Sequence, residues 1–232
     1  MKTIKLFFII PAMFICFASY SQISFDVNAG VNIGNLHSKV NGTKQDGLKA
    51  AVGYTIPLHI NIPIAKSLFF QTGLEYESVQ HKFHSSITYS EIGFVVVDNY
   101  STKSRLDYIN IPLKLFYKIT PLFQLGFGPF AGIGISGRDK ILETQYTTTM
   151  QGTREDIRDY KNKIKFGTKN PELKRFNLGL GIDLSYTFLQ KIIIGLYSNL
   201  GLTNINNYDY VKARTLTGGL TIGYRMAKNV HK

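Results

Sequence analysis

The chain has 232 residues, no tryptophan, one cysteine and a formal net charge of +12 at pH 7. The length suits a single all-β domain, and one cysteine excludes an internal disulfide framework or a multi-thiolate zinc site. The basic balance favours an anionic partner. For an exported chain we expect this partner to be outer-membrane lipid or lipopolysaccharide rather than nucleic acid.

The first 21 residues predict a cleaved secretory signal peptide. Lys2 and Lys5 form a positive start, residues 6–17 are apolar, and 19–21 form a small-x-small cleavage site before Gln22. Cys16 lies inside this segment, so a mature chain of residues 22–232 holds no cysteine. Its apolar runs are far shorter than the roughly 20 residues that a spanning helix needs. If the mature chain crosses a membrane, it must therefore do so as a closed barrel.

Eight stretches of the mature chain alternate between apolar and polar residues with period two, which is typical of strands with one apolar face. The clearest stretch begins at Ile109, where every second residue up to Ile119 is apolar, while Asn110, Lys114 and Lys118 lie between. The predicted strands are 24–36, 48–60, 68–78, 104–119, 122–136, 175–188, 192–203 and 213–226.

The connections between these strands alternate in length. Long connections are predicted at about 35–47, 80–104, 137–174 and 204–212, and they all fall on one side if both termini lie on the other. Outer-membrane barrels have this asymmetry. We therefore predict an all-β fold: an eight-stranded antiparallel up-and-down transmembrane β-barrel in a bacterial outer membrane. The alternative is a soluble lipocalin-like barrel or sandwich, in which the apolar faces would pack inward.

Aromatic residues and prolines refine this prediction. Six aromatic residues on the apolar faces lie near the short-connection ends of their strands and could form an interfacial belt: Phe25, Phe70, Tyr117, Phe123, Phe188 and Tyr224. Proline removes a ladder donor. We therefore expect bulges or wide-pair positions at the three prolines inside strands, Pro57, Pro112 and Pro129.

Four segments resemble one family. Residues 108–115, YINIPLKL, are similar to the Tyr-Leu-Glu-Ile-Pro-Leu strand of the PorT-like outer-membrane β-barrel family, with Asn110 in place of the Glu. Residues 128–132, 197–205 and 221–225 resemble its Gly-Pro-Tyr-x-Gly, Tyr-x-x-Gly-Leu-Thr-Asn-Ile and Leu-Gly-Tyr-Arg segments. The resemblance implies an eight-stranded outer-membrane barrel. Because the family's named member is associated with a secretion and sorting system, it also implies an accessory role in protein export.

Charged residues on the polar faces are expected inside the barrel. An eight-stranded interior is just wide enough to be filled by side chains, and buried charges need partners. We therefore predict a structural ion-pair network, with Glu75 beside Lys114 and Asp26 beside Arg225 where the first and last strands meet. The full predicted set is Asp26, Glu75, Glu77, Lys114, Asp183 and Arg225. The alternative is a catalytic acid pair of Glu75 and Glu77 in an outer-membrane enzyme that acts on lipid or peptide.

Two motifs could suggest a cofactor or a metal site, but their positions in the predicted strands favour neither. The glycines of Gly126-x-Gly128-x-x-Ala131 lie within a predicted strand, whereas a dinucleotide fingerprint needs a strand before it and a helix after it. His81 and His84 fall on opposite faces of a strand. We predict no cofactor, no metal and no catalytic residue.

The basic connection 137–174 is the strongest candidate for outward contact. It could bind lipopolysaccharide, or an envelope or secretion-system protein, through Arg154, Arg158, Lys161, Lys163 and Lys165. We predict a non-enzymatic protein with a structural or interaction role. The alternatives are the outer-membrane enzyme and a soluble ligand carrier.

Overall fold

The computed structural model describes residues 23–45, 47–91, 94–167, 173–189, 191–208 and 210–227. The predicted signal peptide, 1–21, lies outside these residues. Strands account for most of the described chain, and no described helix is long and apolar enough to cross a membrane. The described residues form ten strands: β1 (Ser24–Val40), β2 (Thr43–Lys44), β3 (Leu48–Ala65), β4 (Leu68–Glu91), β5 (Phe94–Lys118), β6 (Phe123–Thr149), β7 (Gly152–Ile164), β8 (Phe176–Phe188), β9 (Ile192–Gly201) and β10 (Val211–Ala227).

Eight of these strands form a closed antiparallel ring. The order around the ring is β1-β3-β4-β5-β6-β8-β9-β10, and β10 pairs back onto β1 from Ser24↔Ala227 to Val40↔Val211. The two remaining strands are additions to this ring, with β2 paired to the end of β1 and β7 paired to β6. The ring is the predicted eight-stranded antiparallel barrel.

The barrel is apolar outside and polar inside. Leu113 is 45% exposed, whereas the next residue, Lys114, is 1% exposed. The same inversion occurs on β1, where Ile33 is 59% exposed and Asn32 is 1% exposed. Apolar side chains therefore form a belt around the wall, and the arrangement excludes the soluble alternative, which needs these faces packed inward.

The two ends of the barrel differ in the length of their connections. At the end that holds residues 23 and 227, short turns join β3 to β4, β5 to β6 and β8 to β9. We call this the turn end, and the opposite end the loop end. Five of the six predicted belt aromatics are well exposed near the turn end, whereas Phe70 is partly buried.

Two long connections predicted from the sequence, 80–104 and 137–174, consist mostly of strand. β4 and β5 pair from Leu68↔Tyr117 to Glu91↔Phe94, and β6 continues to Thr149 before β7 returns beside it. Neither face of these segments is consistently apolar, so apolar and polar residues do not alternate there as they do within the belt. The sequence pattern therefore did not predict these strands. The other two predicted connections are shortened, because β1 reaches Val40 and β10 begins at Val211.

Strand pairing is interrupted beside each of the three prolines inside strands, without a change of register. The β1–β3 ladder passes from Val27↔Leu58 to Gly30↔Thr55 across Pro57, and the β4–β5 ladder from Thr72↔Leu113 to Glu75↔Asn110 across Pro112. The β5–β6 ladder is interrupted in the same way across Pro129. At Pro57, Pro112 and Pro129 the missing donor is therefore accommodated at a gap in the ladder. Register shifts occur at Asp107/Tyr108 and in the β3–β4 ladder at Ala51/Tyr54 and Pro63/Ala65, so a fourth proline in β3, Pro63, does adjoin one.

Candidate functional site

Five of the six predicted interior charges form two ion-paired groups. Around Lys114, the ammonium nitrogen lies 2.7 Å from Asp183 Oδ2 and 3.6 Å from Glu75 Oε1. The same Glu75 oxygen lies 2.8 Å from His59 Nε2. These four residues come from β3, β4, β5 and β8, so the group ties together strands on opposite sides of the ring. Lys114 therefore faces two carboxylates in a nearly dry interior.

A glycine provides the space that Lys114 occupies. A Cβ added to Gly181 would lie 2.9 Å from Lys114 Cε and 2.6 Å from Asn199 Oδ1. Gly126, in the motif that imitates a dinucleotide fingerprint, likewise faces the ring of Phe116, which stacks on Phe69 with 5.0 Å between ring centroids. These glycines let large inward side chains fill a narrow barrel.

The second group closes the ring near the turn end. Arg225 on β10 donates from Nε and Nη2 to the two oxygens of Asp26 on β1, with both distances 2.8 Å. Asn61 Nδ2 donates to Asp26 Oδ2 at 2.8 Å, and Gln71 Nε2 donates to Asn61 Oδ1 at 2.9 Å. A bidentate arginine–carboxylate pair fixes both geometry and register, so this pair holds the first and last strands of the chain together.

Glu77 differs from the other predicted members because neutral donors surround it. Its carboxylate accepts from Asn110 Nδ2 and Thr217 Oγ1, each at 2.8 Å, and from the Tyr197 hydroxyl at 3.3 Å. Among the described residues no cation lies within ion-pair distance of it. It thus belongs to the interior network through hydrogen bonds rather than ion pairs.

The interior has little free space. A cavity of about 50 Å³ lies between the two groups and is lined by residues that include Asp26, His59, Glu75, Asp183 and Arg225. That volume holds a few water molecules and no larger ligand. No group of three or more histidine, cysteine, aspartate or glutamate side chains in the described chain could hold a metal ion.

Apolar side chains fill the loop end of the interior, and we call this cluster the apolar cap. It contains Val79, Leu106, Tyr108, Leu173, Ile205 and Ala213, with Leu36, Ile164 and Phe166 packed against it. The phenyl ring of Phe166 meets Tyr108 edge-on at 5.8 Å. Backbone bonds fix the returning segments, since Lys174 N donates to Ile205 O and Ile205 N donates to Ala213 O. The cap separates the polar interior from the loop end.

Beyond the cap, four strands continue away from the barrel as one sheet. We call this the protruding sheet: residues 80–91 of β4, 94–105 of β5, 137–149 of β6 and 152–164 of β7. Eleven residues separate Arg105 from Phe94, so the sheet extends about 35 Å. Its β7 side is an edge, because β7 pairs with β6 alone among the described strands.

The predicted external residues divide between the two faces of this sheet. Arg154 and Arg158 occupy even positions of β7, whereas Lys161 and Lys163 occupy odd positions. The arginines therefore lie on the face continuous with the barrel interior, and the lysines on the face continuous with the apolar belt. We call these the inner face and the outer face. Arg158 pairs with Asp156 at 3.0 Å on the inner face, and Lys165 lies just past the end of β7, exposed.

Acidic residues concentrate on the inner face. Asp98, Glu143 and Asp156 lie there with the two arginines, as the register shows. Tyr89 donates a short hydrogen bond to Asp98, and this bond raises the pKa of the Tyr89 phenol. The inner face is therefore of mixed charge, whereas on the outer face the cations outnumber the two acids of β7, Glu155 and Asp159.

A tyrosine–arginine cluster marks the boundary between the apolar belt and the protruding sheet. Arg105 Nη2 donates to the hydroxyls of Tyr54 at 2.8 Å and Tyr76 at 2.9 Å, while Arg105 Nε donates to Asp107 at 2.8 Å. The guanidinium carbon also lies 5.3 Å from the centre of the Tyr54 ring. Tyrosine with an apolar ring and a hydrogen-bonded hydroxyl is typical of a membrane–water interface.

Sequence patterns located the charged members of the interior network and missed several partners. His59 shares the inward period of its strand and could have been included on that signal. The donors to Glu77 could not, because Thr217 lies 140 residues away in the chain and its proximity depends on ring closure. The cap residues Leu173 and Ile205 are single apolar residues in polar connections, and no periodicity marks them.

A family match supports this architecture. The family model described as "Outer membrane protein beta-barrel domain" matches residues 17–207. No curated protein matches the chain. Solved structures that resemble it include Ail of Yersinia pestis in complex with the heparin analogue sucrose octasulfate (15% identity, TM-score 0.37, 88% of this chain and 99% of that chain covered).

Two further structures resemble the chain over most of its length. They are Neisserial surface protein A (13% identity, TM-score 0.33, 88% and 97% covered) and OprG of Pseudomonas aeruginosa (11% identity, TM-score 0.30, 90% and 97% covered). The assignment rests on the family match over most of the chain, together with the closed ring and its apolar belt. The chain belongs to the outer membrane protein beta-barrel domain family and is a bacterial outer-membrane β-barrel protein.

Proposed function

We propose that this barrel is a non-enzymatic protein whose role is structural or one of interaction, and that the protruding sheet is its contact surface. The observation that carries the proposal is the β7 edge, which is exposed along nearly its whole length and pairs with β6 alone among the described strands. An unpaired edge can add a strand from a partner. The charged residues of β7 would restrict that pairing to a complementary partner.

The interior supports a structural role over an enzymatic one. The carboxylates of Asp26, Glu75, Glu77 and Asp183 are all held by side-chain partners, and the neighbouring cavity of about 50 Å³ has no room for a lipid or a peptide. Glu75 and Glu77 share the inward face, as an acid pair would, but Glu75 is bound to His59 and Lys114, and Glu77 to neutral donors. This pattern favours strand-to-strand cross-linking.

The resemblance of four segments to the PorT-like family suggests the kind of partner. We propose an envelope protein, with an accessory role in secretion and sorting as the specific case. A partner at the edge of the protruding sheet would stand clear of the membrane, because the edge begins level with the tyrosine–arginine cluster and runs away from the apolar belt.

Site-specific photo-crosslinking in intact cells tests the proposal. A photoreactive residue in place of Ile157, which is 60% exposed at the centre of β7, should capture one defined envelope protein. The same group in place of Lys191, in the β8–β9 turn at the other end of the barrel, is the matched control. Replacing Arg154 and Arg158 with glutamate should then reduce the crosslink. An absent crosslink at Ile157, or an equal crosslink at Lys191, would contradict an edge-bound partner.

A further inference from the structure

Five lysines form a continuous row across five neighbouring strands of the outer face. Each lysine is the direct cross-strand partner of the next: Lys49↔Lys82 between β3 and β4, Lys82↔Lys103 between β4 and β5, Lys103↔Lys140 between β5 and β6, and Lys140↔Lys161 between β6 and β7. We call this the lysine row. Residues far apart in sequence build it, so only the register reveals it.

The lysine row is exposed and almost without counter-charge. All five lysines are exposed, and the one ion pair in the row is the surface contact between Lys140 Nζ and Asp159 Oδ2 at 3.6 Å. The other four lysines make no ion pair with any described residue. Two residues nearer the belt, Arg105, Arg138 and Lys163 form a second cationic row on the same face.

Such a row is unfavourable unless something neutralises it. Side chains directly opposite each other in a sheet lie about 5 Å apart at Cβ, and like charges there destabilise the pairing. The repulsion of four consecutive like-charged pairs adds up. The inner face of the same strands mixes acids with arginines, so the lysine row is not explained by a general need for surface charge. Its position points to an anion outside the protein.

The face on which the row lies identifies that anion. Below the row on the same face come the tyrosine–arginine cluster and then the exposed belt residues, such as Ile109 on β5. Lys103 is six residues from Ile109, or about 20 Å along a strand. Because barrel strands are tilted, the height of Lys103 above the belt is less than this distance. Long lysine side chains can bend toward the interface. The row thus stands over the headgroups of lipids whose chains touch the belt.

The same arrangement continues on β1 and β10. His37↔Arg214 and Lys39↔Lys212 are cross-strand pairs on the outer face above Ile33 and Leu216. With Asn41, Gly42 and Tyr210 they line a cleft of about 520 Å³. Cations therefore follow the wall across most of its circumference.

We propose that the lysine row, with the cationic row beneath it, is a binding surface for phosphorylated lipid headgroups of the outer leaflet. The lipid phosphates supply the counter-charge that the protein itself lacks, while the acyl chains of the same lipids contact the apolar belt. The surface includes Lys161 and Lys163 of β7, but the charges tested below lie on β4, β5 and β6, so the lipid site and the proposed protein partner can be tested independently.

The test is a lipid titration with the purified, refolded chain in zwitterionic micelles. The ladder variant Lys82→Gln/Lys103→Gln/Lys140→Gln removes three charges from the row. The control variant Lys66→Gln/Lys118→Gln/Lys191→Gln removes three charges from the turn end. Lipid A, dephosphorylated lipid A and inositol hexakisphosphate are the probes, and heat-modifiable migration on gels verifies that each variant is folded.

The wild-type and control chains should bind lipid A equally. The ladder variant should bind it about a hundredfold more weakly, since each basic residue near an anionic surface contributes roughly a factor of five to ten. Dephosphorylated lipid A should bind all three chains alike and weakly. Equal lipid A affinity for the ladder and control variants would overturn the proposal. So would row-dependent binding of inositol hexakisphosphate without row-dependent binding of lipid A, because the surface would then serve a soluble polyanion.

Discussion

Lys114 is the residue on which the charge balance of the interior depends. It is 1% exposed and contacts carboxylates from two different strands, Glu75 and Asp183. Burial of an ammonium group is tolerated only because both partners compensate for its lost hydration. Removing the lysine would leave two carboxylates with the His59 imidazole as their nearby basic group, whereas an exposed lysine on the same strand has no such neighbours.

We predict that Lys114→Met lowers the free energy of unfolding by about 3–5 kcal/mol, because it breaks a buried pair and leaves the acids uncompensated. Urea titration followed by far-UV circular dichroism, in a fixed lipid, measures the change. Lys103→Met, on the same strand but exposed, is the control and should shift the midpoint little. Equal midpoints for the two variants would show that the interior charges do not depend on Lys114.

Residue-level features differ in how far the sequence predicts them. Alternation placed Lys114, Asp183, Asp26 and Arg225 on inward faces without any structure, because period two is a local property. The choice of partner is not local. No cation of the described chain contacts Glu77. Its neighbours are set by the stagger of strands around the ring, which the sequence of a single strand does not specify.

At the scale of elements, the apolar cap joins the barrel wall to the returning connections. Ile205 is fully buried, and its backbone binds both Lys174 and Ala213. In the described part of the connection between β7 and β8, the backbone of Leu173 forms bridges to Phe166 and Asn206. The residues that follow are therefore tied to the cap by both backbone hydrogen bonds and apolar packing.

We predict that Ile205→Ala destabilises the cap locally by about 2–5 kcal/mol through the cavity it leaves. Trypsin should then cleave after Lys165, Lys174 or Arg175 at least tenfold faster than in the wild type, while β-sheet content by circular dichroism stays unchanged. Leu202→Ala, in the same β9–β10 connection but 45% exposed, is the control. Cleavage rates that are the same in both variants would contradict a packing role for the cap.

The strands differ in how well the alternation of apolar and polar residues predicts them. Within the belt, lipid on one side and a polar interior on the other impose strict alternation, and the predicted strands there agree with the ring. Beyond the belt, water contacts both faces of the protruding sheet. The type of a residue there, as at Thr147 and Ser86, does not indicate which face it lies on. Hydrogen bonds between neighbouring strands continue through this region, but they join backbone groups and cannot be recognised from the hydropathy of the side chains.

The whole molecule is organised by a single inversion, with an apolar exterior around a polar, ion-paired interior that is closed at the loop end by the cap. The predicted bacterial outer-membrane location follows from this inversion and from the family match. The remaining question at this scale is orientation. In outer-membrane barrels short turns face the periplasm and long hairpins face outward, so the tip of the protruding sheet should be accessible from outside the cell.

We predict that Met150→Cys, a position 97% exposed at the tip between β6 and β7, reacts with a membrane-impermeant maleimide on intact cells. Lys191→Cys, in the β8–β9 turn, should react only after the outer membrane is permeabilised. The wild type provides the background, because Cys16 lies in the predicted signal peptide and the mature chain should not be labelled. Reaction of Lys191→Cys on intact cells would reverse the proposed orientation.

The pairing of β1 with β10 has a consequence for biogenesis. All 17 residues of β1 find partners on β10, which is synthesised after the other nine described strands, and Asp26 is neutralised by Arg225 close to the end of β10. A nascent polypeptide that lacks this strand would bring two open edges and an unpaired carboxylate into hydrocarbon, where unsatisfied polar groups are costly. The fold thereby discriminates against prematurely terminated products, since only a polypeptide that includes the final strand can leave the periplasm for the bilayer in a stable form.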